Sequence, residues 1–206
     1  RAHRAGFDPQ TGPRVALVEG ASGVLPGSQL TRAIRRRVRD YLTCVGIEVL
    51  TDRRVEKVTE KKIYFEKDDP LEYDLAVWAG GVRAADAALS LGHRPEAARR
   101  IEVTPHLILS GHPDVFVLGD AAYYTYGAKK KSLPCSAQYA IQQAAVASQN
   151  IADMILGREP SAEFEPNVRG EFVSVSRDKA VAWTGPLQFF GADAQIMKKA
   201  ILAKYL

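Results

Sequence analysis

The order of apolar and polar positions divides the first quarter of the chain into two strands and a helix. The apolar run Arg14–Val18 predicts a strand, and a loop rich in glycine and serine follows it. Apolar residues then recur at helical spacing from Leu30 to Val45, and Gly46 supplies a helix stop. The next run, Ile47–Leu50, predicts a second strand. This order is typical of a parallel strand pair joined by a right-handed crossover.

Shorter apolar runs in the next part of the chain predict an antiparallel meander and a further strand. Arg54–Phe65 alternates like two paired strands around a polar turn, and Tyr73–Trp78 is an apolar run that predicts a sheet strand. Helical spacing predicts a short helix over Ala84–Leu91. These elements predict the back half of a nucleotide-binding α/β domain over residues 1–82.

The central stretch of the chain combines an apolar strand with a long helix. Val115–Leu118 predicts a strand that ends at Gly119 and Asp120. Such an ending places a carboxylate at the carboxyl edge of a sheet, where open α/β sheets bind ligands, and it can accept hydrogen bonds from sugar-like hydroxyls. The helix predicted over Ala137–Leu156 begins with small residues. Its free N–H groups and positive dipole end can therefore reach an anionic or electron-rich group.

The last part of the chain predicts a hairpin and a helix. Glu171–Ser176 and Ala180–Thr184 alternate like paired strands around a polar turn, and Ala192–Leu206 is an apolar helix with scattered lysines. These elements predict a small α+β cap over residues 159–206.

Composition narrows the classes of function only slightly. The 206 residues are 46% apolar, which is enough for one sizeable core or two small ones, and the net charge of +4 mildly favours anionic ligands or an anionic membrane surface. Basic and aromatic residues do not interleave as they do in nucleic-acid modules. We expect Cys44 and Cys135 to be free thiols, and the four histidines show no metal-ligand spacing.

A glycine-rich turn of the form G-x-G-x-x-G, which seats a pyrophosphate in dinucleotide folds, does not occur in this sequence. The strand that ends at Glu19 looks like the second strand of such a fold. We therefore expect the first strand and its glycine turn to precede Arg1, and the chain to be the C-terminal half of a longer enzyme.

Two motifs carry a resemblance to a known family. Asp114–Ala122 resembles the second flavin-binding signature of the flavoprotein reductases with two dinucleotide-binding domains. Ala137–Gln142 is similar to the A-Q-x-A-x-Q pattern of one branch, the type II (non-proton-pumping) NADH:quinone oxidoreductases. The resemblance extends from Arg14 to the end of the chain.

The resemblance implies an α/β fold in three parts. They are the back half of a Rossmann-like NADH-binding domain with an antiparallel β-meander (1–82), the returning part of an FAD-binding domain (83–158), and a C-terminal hairpin-helix cap that faces a membrane (159–206). It further implies a peripheral protein on the cytoplasmic face of a membrane, and it leaves a homodimer open. A core-packing or dimer role for the last helix is an equal alternative.

The resemblance also implies which residues bind FAD, NADH and a quinone. The expected FAD ligands are Gly119, Asp120 at the ribityl chain, and the helix start at Ala137 and Gln138, whose N–H groups point at the flavin N1–C2=O edge. The expected NADH ligands are Glu19, which would accept the hydroxyls of the adenosine ribose and disfavour NADP, and the small residues Ala79 and Gly80 beside the nicotinamide. Gln138 and Gln142 share a helix face and suit the carbonyls of a quinone.

The implied activity is electron transfer from NADH through FAD to a quinone, with no side chain as a covalent catalyst. Simpler interpretations remain open: Glu19 as a solvated carboxylate, Ala79 and Gly80 as a tight turn, and the glutamines as a solvent-facing row. A flavin reductase with a soluble acceptor is one rival function, and a cofactor-free folded or assembly module is another. A sulfide:quinone reductase is disfavoured because Cys135 has no nearby cysteine partner.

Overall fold

The computed structural model of the chain describes residues 12–86, 100–128 and 130–203. The contacts divide it into two compact units, Arg1–Val77 with Arg169–Leu206, and Trp78–Val168. The helices are α1 Arg32–Cys44, α2 Ala137–Ile155 and α3 Ala192–Ala203. The strands are β1 Val15–Val18, β2 Ile47–Leu50, β3 Val55–Val58, β4 Lys62–Phe65, β5 Leu71–Glu72, β6 Ile101–Glu102, β7 Ile108–Leu109, β8 His112–Phe116, β9 Ala122–Tyr123, β10 Thr125–Tyr126, β11 Lys131–Ser132, β12 Glu171–Ser174, β13 Ala180–Thr184 and β14 Leu187–Gly191.

The first unit begins with the predicted parallel pair. β1 and β2 are parallel and in register from Val15 opposite Ile47 to Val18 opposite Leu50, which confirms the strand-helix-strand prediction. α1 begins after Thr31, whose hydroxyl accepts the N–H of Ile34 at 3.4 Å. Its apolar stripe, including the buried Val38 and Leu42, is the one that the helical spacing predicts.

The meander is confirmed, but the strand predicted after it is wrong. β3, β4 and β5 form an antiparallel sheet. The run Tyr73–Trp78 forms no strand, and Leu75, Val77 and Trp78 are 84%, 83% and 71% exposed. A strand needs a neighbour that satisfies its N–H and C=O groups, and no strand within the described ranges pairs with this run. The helix predicted over Ala84–Leu91 falls outside the described residues from position 87 onward.

The C-terminal part of the first unit is a three-stranded antiparallel sheet, β12-β13-β14, covered by α3. The predicted hairpin is confirmed, whereas the third strand, β14, was not expected. Ala180 and Ala182 of β13 meet Ala194 of α3, and all three are fully buried. Phe190 pairs with Val181, so it lies on the opposite sheet face from Ala182, and its ring is 5.8 Å from that of Tyr41 in α1.

The second unit packs short strand pairs against α2. β6 and β9 are parallel, while β7 with β8 and β10 with β11 are antiparallel. α2 follows the predicted bounds to within one residue and ends before Gly157, whose positive φ of 73° is typical of a helix C-terminus. The buried apolar core of this unit consists of Ile101, Val103, Leu107, Leu109, Val117, Ala122, Tyr124, Leu133, Tyr139, Ala147 and Phe164.

Candidate functional site

The Gly-Asp segment forms a 3-10 turn, Gly119–Ala121, after an extended strand. β8 ends at Phe116, two residues earlier than predicted, although Val117 continues the pairing by donating its N–H to Leu107. Gly119 has a φ of +66°, which L side chains rarely adopt. A glycine is therefore required where this chain turns from the sheet edge towards α2.

The structure brings this turn against the beginning of α2. The Gly119 N–H donates to the side-chain oxygen of Gln143 at 2.6 Å, and a Cβ built on Gly119 would lie 3.5 Å from that of Ala140. Cys135, just before the helix, places its sulfur 4.0 Å from the backbone oxygen of Asp120. The two chain segments predicted to bracket a flavin are thus neighbours within one unit.

Asp120 and the helix start present polar groups to the surface. Asp120 is exposed, its carboxylate makes no ion pair among the described residues, and it lies within hydrogen-bonding reach of the Cys135 thiol. Ser136 occupies the N-cap position of α2 but makes no side-chain cap, so that end of the helix keeps its positive character. An exposed carboxylate can accept hydrogen bonds from ligand hydroxyls, and the helix N-terminus beside it can hold an electron-rich group.

Cys135 lies beside two charged groups at this site. Burial raises the pKa of its thiol above the ordinary value; the nearby Arg100 acts to lower it, and Asp120 acts to raise it. The thiol therefore stays protonated at neutral pH, and Cys135 is free, as expected, and exposed.

Gln138 and Gln142 occupy neighbouring turns of the helix, as predicted. The Gln142 amide is engaged: it donates to the Gln138 carbonyl at 3.0 Å and to the Asn167 carbonyl at 3.1 Å, and it accepts the Asn167 N–H at 2.9 Å. In this structure Gln142 thus joins α2 to the segment that follows it in the unit.

Glu19 lies in the other unit, at the carboxyl end of β1. Its backbone continues the pairing with β2 by donating to Leu50 at 2.8 Å. One carboxylate oxygen accepts the N–H of Ala21 at 2.9 Å, which folds the side chain over its own loop, while the other oxygen accepts no hydrogen bond from the described part of the chain. Glu19 is partly buried and retains one oxygen for a hydroxyl donor.

Ala79 and Gly80 lie in an extended, exposed segment of the second unit. A Cβ on Gly80 would come within 2.6 Å of the Trp78 indole, so a larger residue there would displace this ring, which is 71% exposed. The glycine therefore leaves room for the Trp78 ring in its present position.

The buried face of α2 contains polar residues that were not singled out from the sequence. Gln143, Asn150 and Asp153 are 2%, 0% and 4% exposed. Asn150 donates to the carbonyls of His106 and Ala162 and accepts the Ala162 N–H. The available signal was their spacing with Tyr139 and Ala147, which places polar residues on the apolar stripe of the helix.

A cleft of about 370 Å³ opens in the second unit. It is lined by Pro105, Tyr124, Thr125, Tyr126, Gly127, Glu163, Phe164, Glu165 and Pro166. The buried Tyr124 hydroxyl donates to the Phe164 carbonyl, and burial raises the pKa of Tyr124. No sequence motif indicated this cleft.

Over the described residues no group of three or more histidine, cysteine or acidic side chains is placed to hold a metal ion. None of the three described helices combines the length and apolar content that crossing a bilayer requires.

Comparison with known proteins places the chain among flavoprotein reductases. Residues 5–149 match the family model of the pyridine nucleotide-disulphide oxidoreductases. The chain is 33% identical to type II NADH:quinone oxidoreductase NdhA of Mycobacterium tuberculosis, covering 94% of this chain and 42% of the relative. It is 27% identical to the type II NADH:quinone oxidoreductase of Staphylococcus saprophyticus, over 93% of this chain and 48% of the relative.

A solved structure shares the fold. NDH2 of Plasmodium falciparum, in complex with NADH, superposes with a TM-score of 0.76 at 15% identity, covering 93% of this chain and 54% of that one. The chain therefore spans about half or less of the length of the proteins that it matches.

Proposed function

Because the chain belongs to the pyridine nucleotide-disulphide oxidoreductase family, we propose that it is the part of a type II NADH:quinone oxidoreductase that binds NADH and contributes to the FAD site. The protein that carries it passes electrons from NADH through FAD to a quinone. The observation that carries the proposal is the contact between the Gly119–Ala121 turn and α2. That contact unites the flavin signature with the Ala-Gln helix start typical of the quinone-reducing branch.

The residues at this contact fit a flavin. The exposed Asp120 carboxylate would accept a hydrogen bond from a ribityl hydroxyl, and the Gly119 backbone permits close approach. The backbone N–H groups of Ala137 and Gln138 would hold the electron-rich edge of the ring system at the positive end of α2. Bound FAD would supply the two-electron and one-electron chemistry that no side chain here provides.

For NADH, we propose that the unused oxygen of Glu19 accepts an adenosine ribose hydroxyl. Its negative charge would oppose a 2′-phosphate and favour NADH over NADPH. Ala79 and Gly80 would line the nicotinamide with little side-chain bulk.

For the quinone, we propose a site on the face of α2 that contains Gln138 and Gln142. The Gln142 amide is also hydrogen-bonded to Asn167, so it holds the segment that would border this site. A quinone that bonds to the Gln142 amide would exchange those bonds for its own carbonyl.

Membrane attachment is proposed for the C-terminal cap. On α3, Ile196 and Ile201 are 65% and 42% exposed, and Lys199 is exposed one turn after Ile196. Exposed apolar side chains with a basic residue nearby suit a peripheral contact with anionic lipid, on the cytoplasmic side. We also propose that the chain divides into three parts at residues 82 and 158, and that the protein forms a homodimer.

The test uses the protein that carries this chain, purified with FAD. NADH added without oxygen should bleach the flavin, and a soluble quinone should restore its colour. Gln142→Leu should slow the quinone step about tenfold while NADH bleaching is unchanged, because lost polar contacts of this kind are worth about 1 to 2 kcal/mol. Ser148→Ala, on the same helix but away from its start, is the matched control. Absence of flavin bleaching by NADH would contradict the proposal.

A further inference from the structure

Arg100 is a buried cation in the second unit without an acidic partner in the described part of the chain. It is 7% exposed, and no carboxylate lies within ion-pair distance of it there. A buried charge is costly unless hydrogen bonds replace its water. The guanidinium must therefore be held by neutral acceptors.

Those acceptors belong to two separate chain segments. One terminal nitrogen donates to the Leu133 carbonyl at 2.8 Å and to the Ala122 carbonyl at 3.4 Å, and the other donates to the Ser132 hydroxyl at 2.8 Å. Ala122 follows the Gly119–Ala121 turn directly, whereas Ser132 and Leu133 lead into α2. The side chain therefore joins the two arms of the candidate flavin site.

Other contacts show that the guanidinium is held in one orientation. Its carbon lies 5.3 Å from the centre of the Tyr123 ring, and its buried Nε has no hydrogen-bond partner among the residues that the structure describes. Cys135 adjoins it closely enough for Arg100 to influence the thiol. A planar fork can reach both segments at once, which a lysine ammonium at the end of a flexible stem cannot do as well.

We propose that Arg100 is a positioning residue, whose guanidinium fixes the segment leading into α2 against the strand that follows the Gly119–Ala121 turn. This rests on the proposed flavin site, because it is there that the spacing of the two arms matters. Arg100 touches no reacting group; it acts through the carbonyls of Ala122 and Leu133.

The test uses Cys135 as a reporter of that segment. In the 206-residue chain with Cys44→Ser, Cys135 is the remaining cysteine, and its alkylation by iodoacetamide is followed by mass spectrometry across a range of pH. We expect Arg100→Met and Arg100→Lys each to raise the high-pH rate about tenfold, because hydrogen bonds from a charged group are lost. Circular dichroism verifies folding.

The pH dependence of alkylation separates the two effects of replacing Arg100: loss of its hydrogen bonds and loss of its positive charge. Both variants release the segment, but Lys keeps the positive charge, so the alkylation midpoint of Arg100→Met should lie above that of Arg100→Lys. Arg53→Met is the matched control, because Arg53 is also stacked on a ring, that of Phe65, but lies in the other unit. Its rate and midpoint should equal those of the parent.

If Arg100→Met does not fold, Arg100→Lys and Ser132→Ala carry the test, and Ser132→Ala should give a smaller rise in rate. High-pH rates equal to the parent in folded Arg100 variants would overturn the proposal.

A second arm adds FAD. Bound flavin should slow alkylation of Cys135 in the parent, and Arg100→Lys should need more FAD for the same protection. Absence of protection in every variant, the parent included, would contradict flavin binding by this chain. The alkylation rates without FAD would still decide the role of Arg100.

Discussion

Helices α2 and α3 each cover part of their own unit, but their buried side chains differ in kind. The buried face of α2 carries Gln143, Asn150 and Asp153 beside its apolar residues, whereas α3 presents the fully buried Ala194 to two alanines of β13, with Phe172 and Phe189 packed around them. The first interface therefore adds directional polar contacts to apolar packing, and the buried part of the second is apolar.

The difference follows from the backbone that each helix covers. α2 faces the segment from residue 158 to 168, which forms no strand, and its side chains satisfy that backbone: Asn150 bonds both polar groups of Ala162, and Gln142 bonds both of Asn167. α3 faces β12-β13-β14, whose strands satisfy one another. Polar side chains are buried where irregular backbone needs hydrogen-bond partners. Alanine suffices where the strands of a sheet already bond to one another.

The strongest test of this comparison is Asn150→Leu. The change leaves the Ala162 N–H and the His106 carbonyl without the Asn150 amide, and the Ala162 carbonyl with only the His106 ring beside it, so we expect a loss of about 3 kcal/mol of unfolding free energy. Denaturant unfolding, with hydrogen exchange to assign the loss to the second unit, measures it. Ser148→Ala, exposed on the same helix, is the control. A loss no larger than that of the control would show that the amide contacts do not stabilise this interface.

The apolar interface should respond to volume instead. Ala182→Leu adds three carbons between β13 and α3, where the facing alanines are fully buried. Overpacking of this kind lowers the free energy of unfolding by roughly 2 kcal/mol. Thermal unfolding measures the change, with the exposed Leu187→Met as control. A fully tolerated leucine would indicate that α3 is loosely seated.

The polar interface should also depend on pH. The Arg158 guanidinium beside Asp153, at 2.6 Å, holds the pKa of that carboxyl below its ordinary value. A depressed pKa contributes stability above the ordinary value, and this is lost as pH falls through the folded-state pKa. Asp153→Asn should therefore be less stable than the parent at neutral pH, with the gap closing in acid. The exposed Asp69→Asn should show no such gap. A gap for Asp153→Asn that does not change with pH would contradict this linkage.

The smallest expected effect has the opposite sign and lies in the other unit. Burial raises the pKa of Glu171 on β12, so ionising it in the folded state is unfavourable at neutral pH. Glu171→Gln should raise the melting temperature slightly at neutral pH, and the gain should vanish as pH falls below the ordinary glutamate pKa. The exposed Glu56→Gln is the control. A melting temperature that falls at neutral pH would mean that the carboxylate makes a favourable contact.

The glutamines of α2 show how much of the candidate site can be predicted from the sequence motif alone. The motif singles out Gln138 and Gln142 because helical spacing puts them on one face. The structure instead uses the next residue, Gln143, to bond the Gly119 N–H, one position and about 100° further around the helix. Periodicity defines a face, but which face meets the Gly119–Ala121 turn depends on contacts between residues 24 positions apart.

The sequence alone determined the parallel β1–β2 pair, the meander, the bounds of α2, and the pairing of a Gly-Asp turn with an Ala-Gln helix start. Those features follow from local periodicity, turn chemistry and motif spacing. Only the tertiary structure decided that Tyr73–Trp78 forms no strand, that β14 completes a sheet, and that Arg100 and Asn150 bind irregular backbone. A strand exists only with a hydrogen-bonding neighbour, and a buried polar group is stable only with its acceptors in place, so both depend on residues far away in the chain.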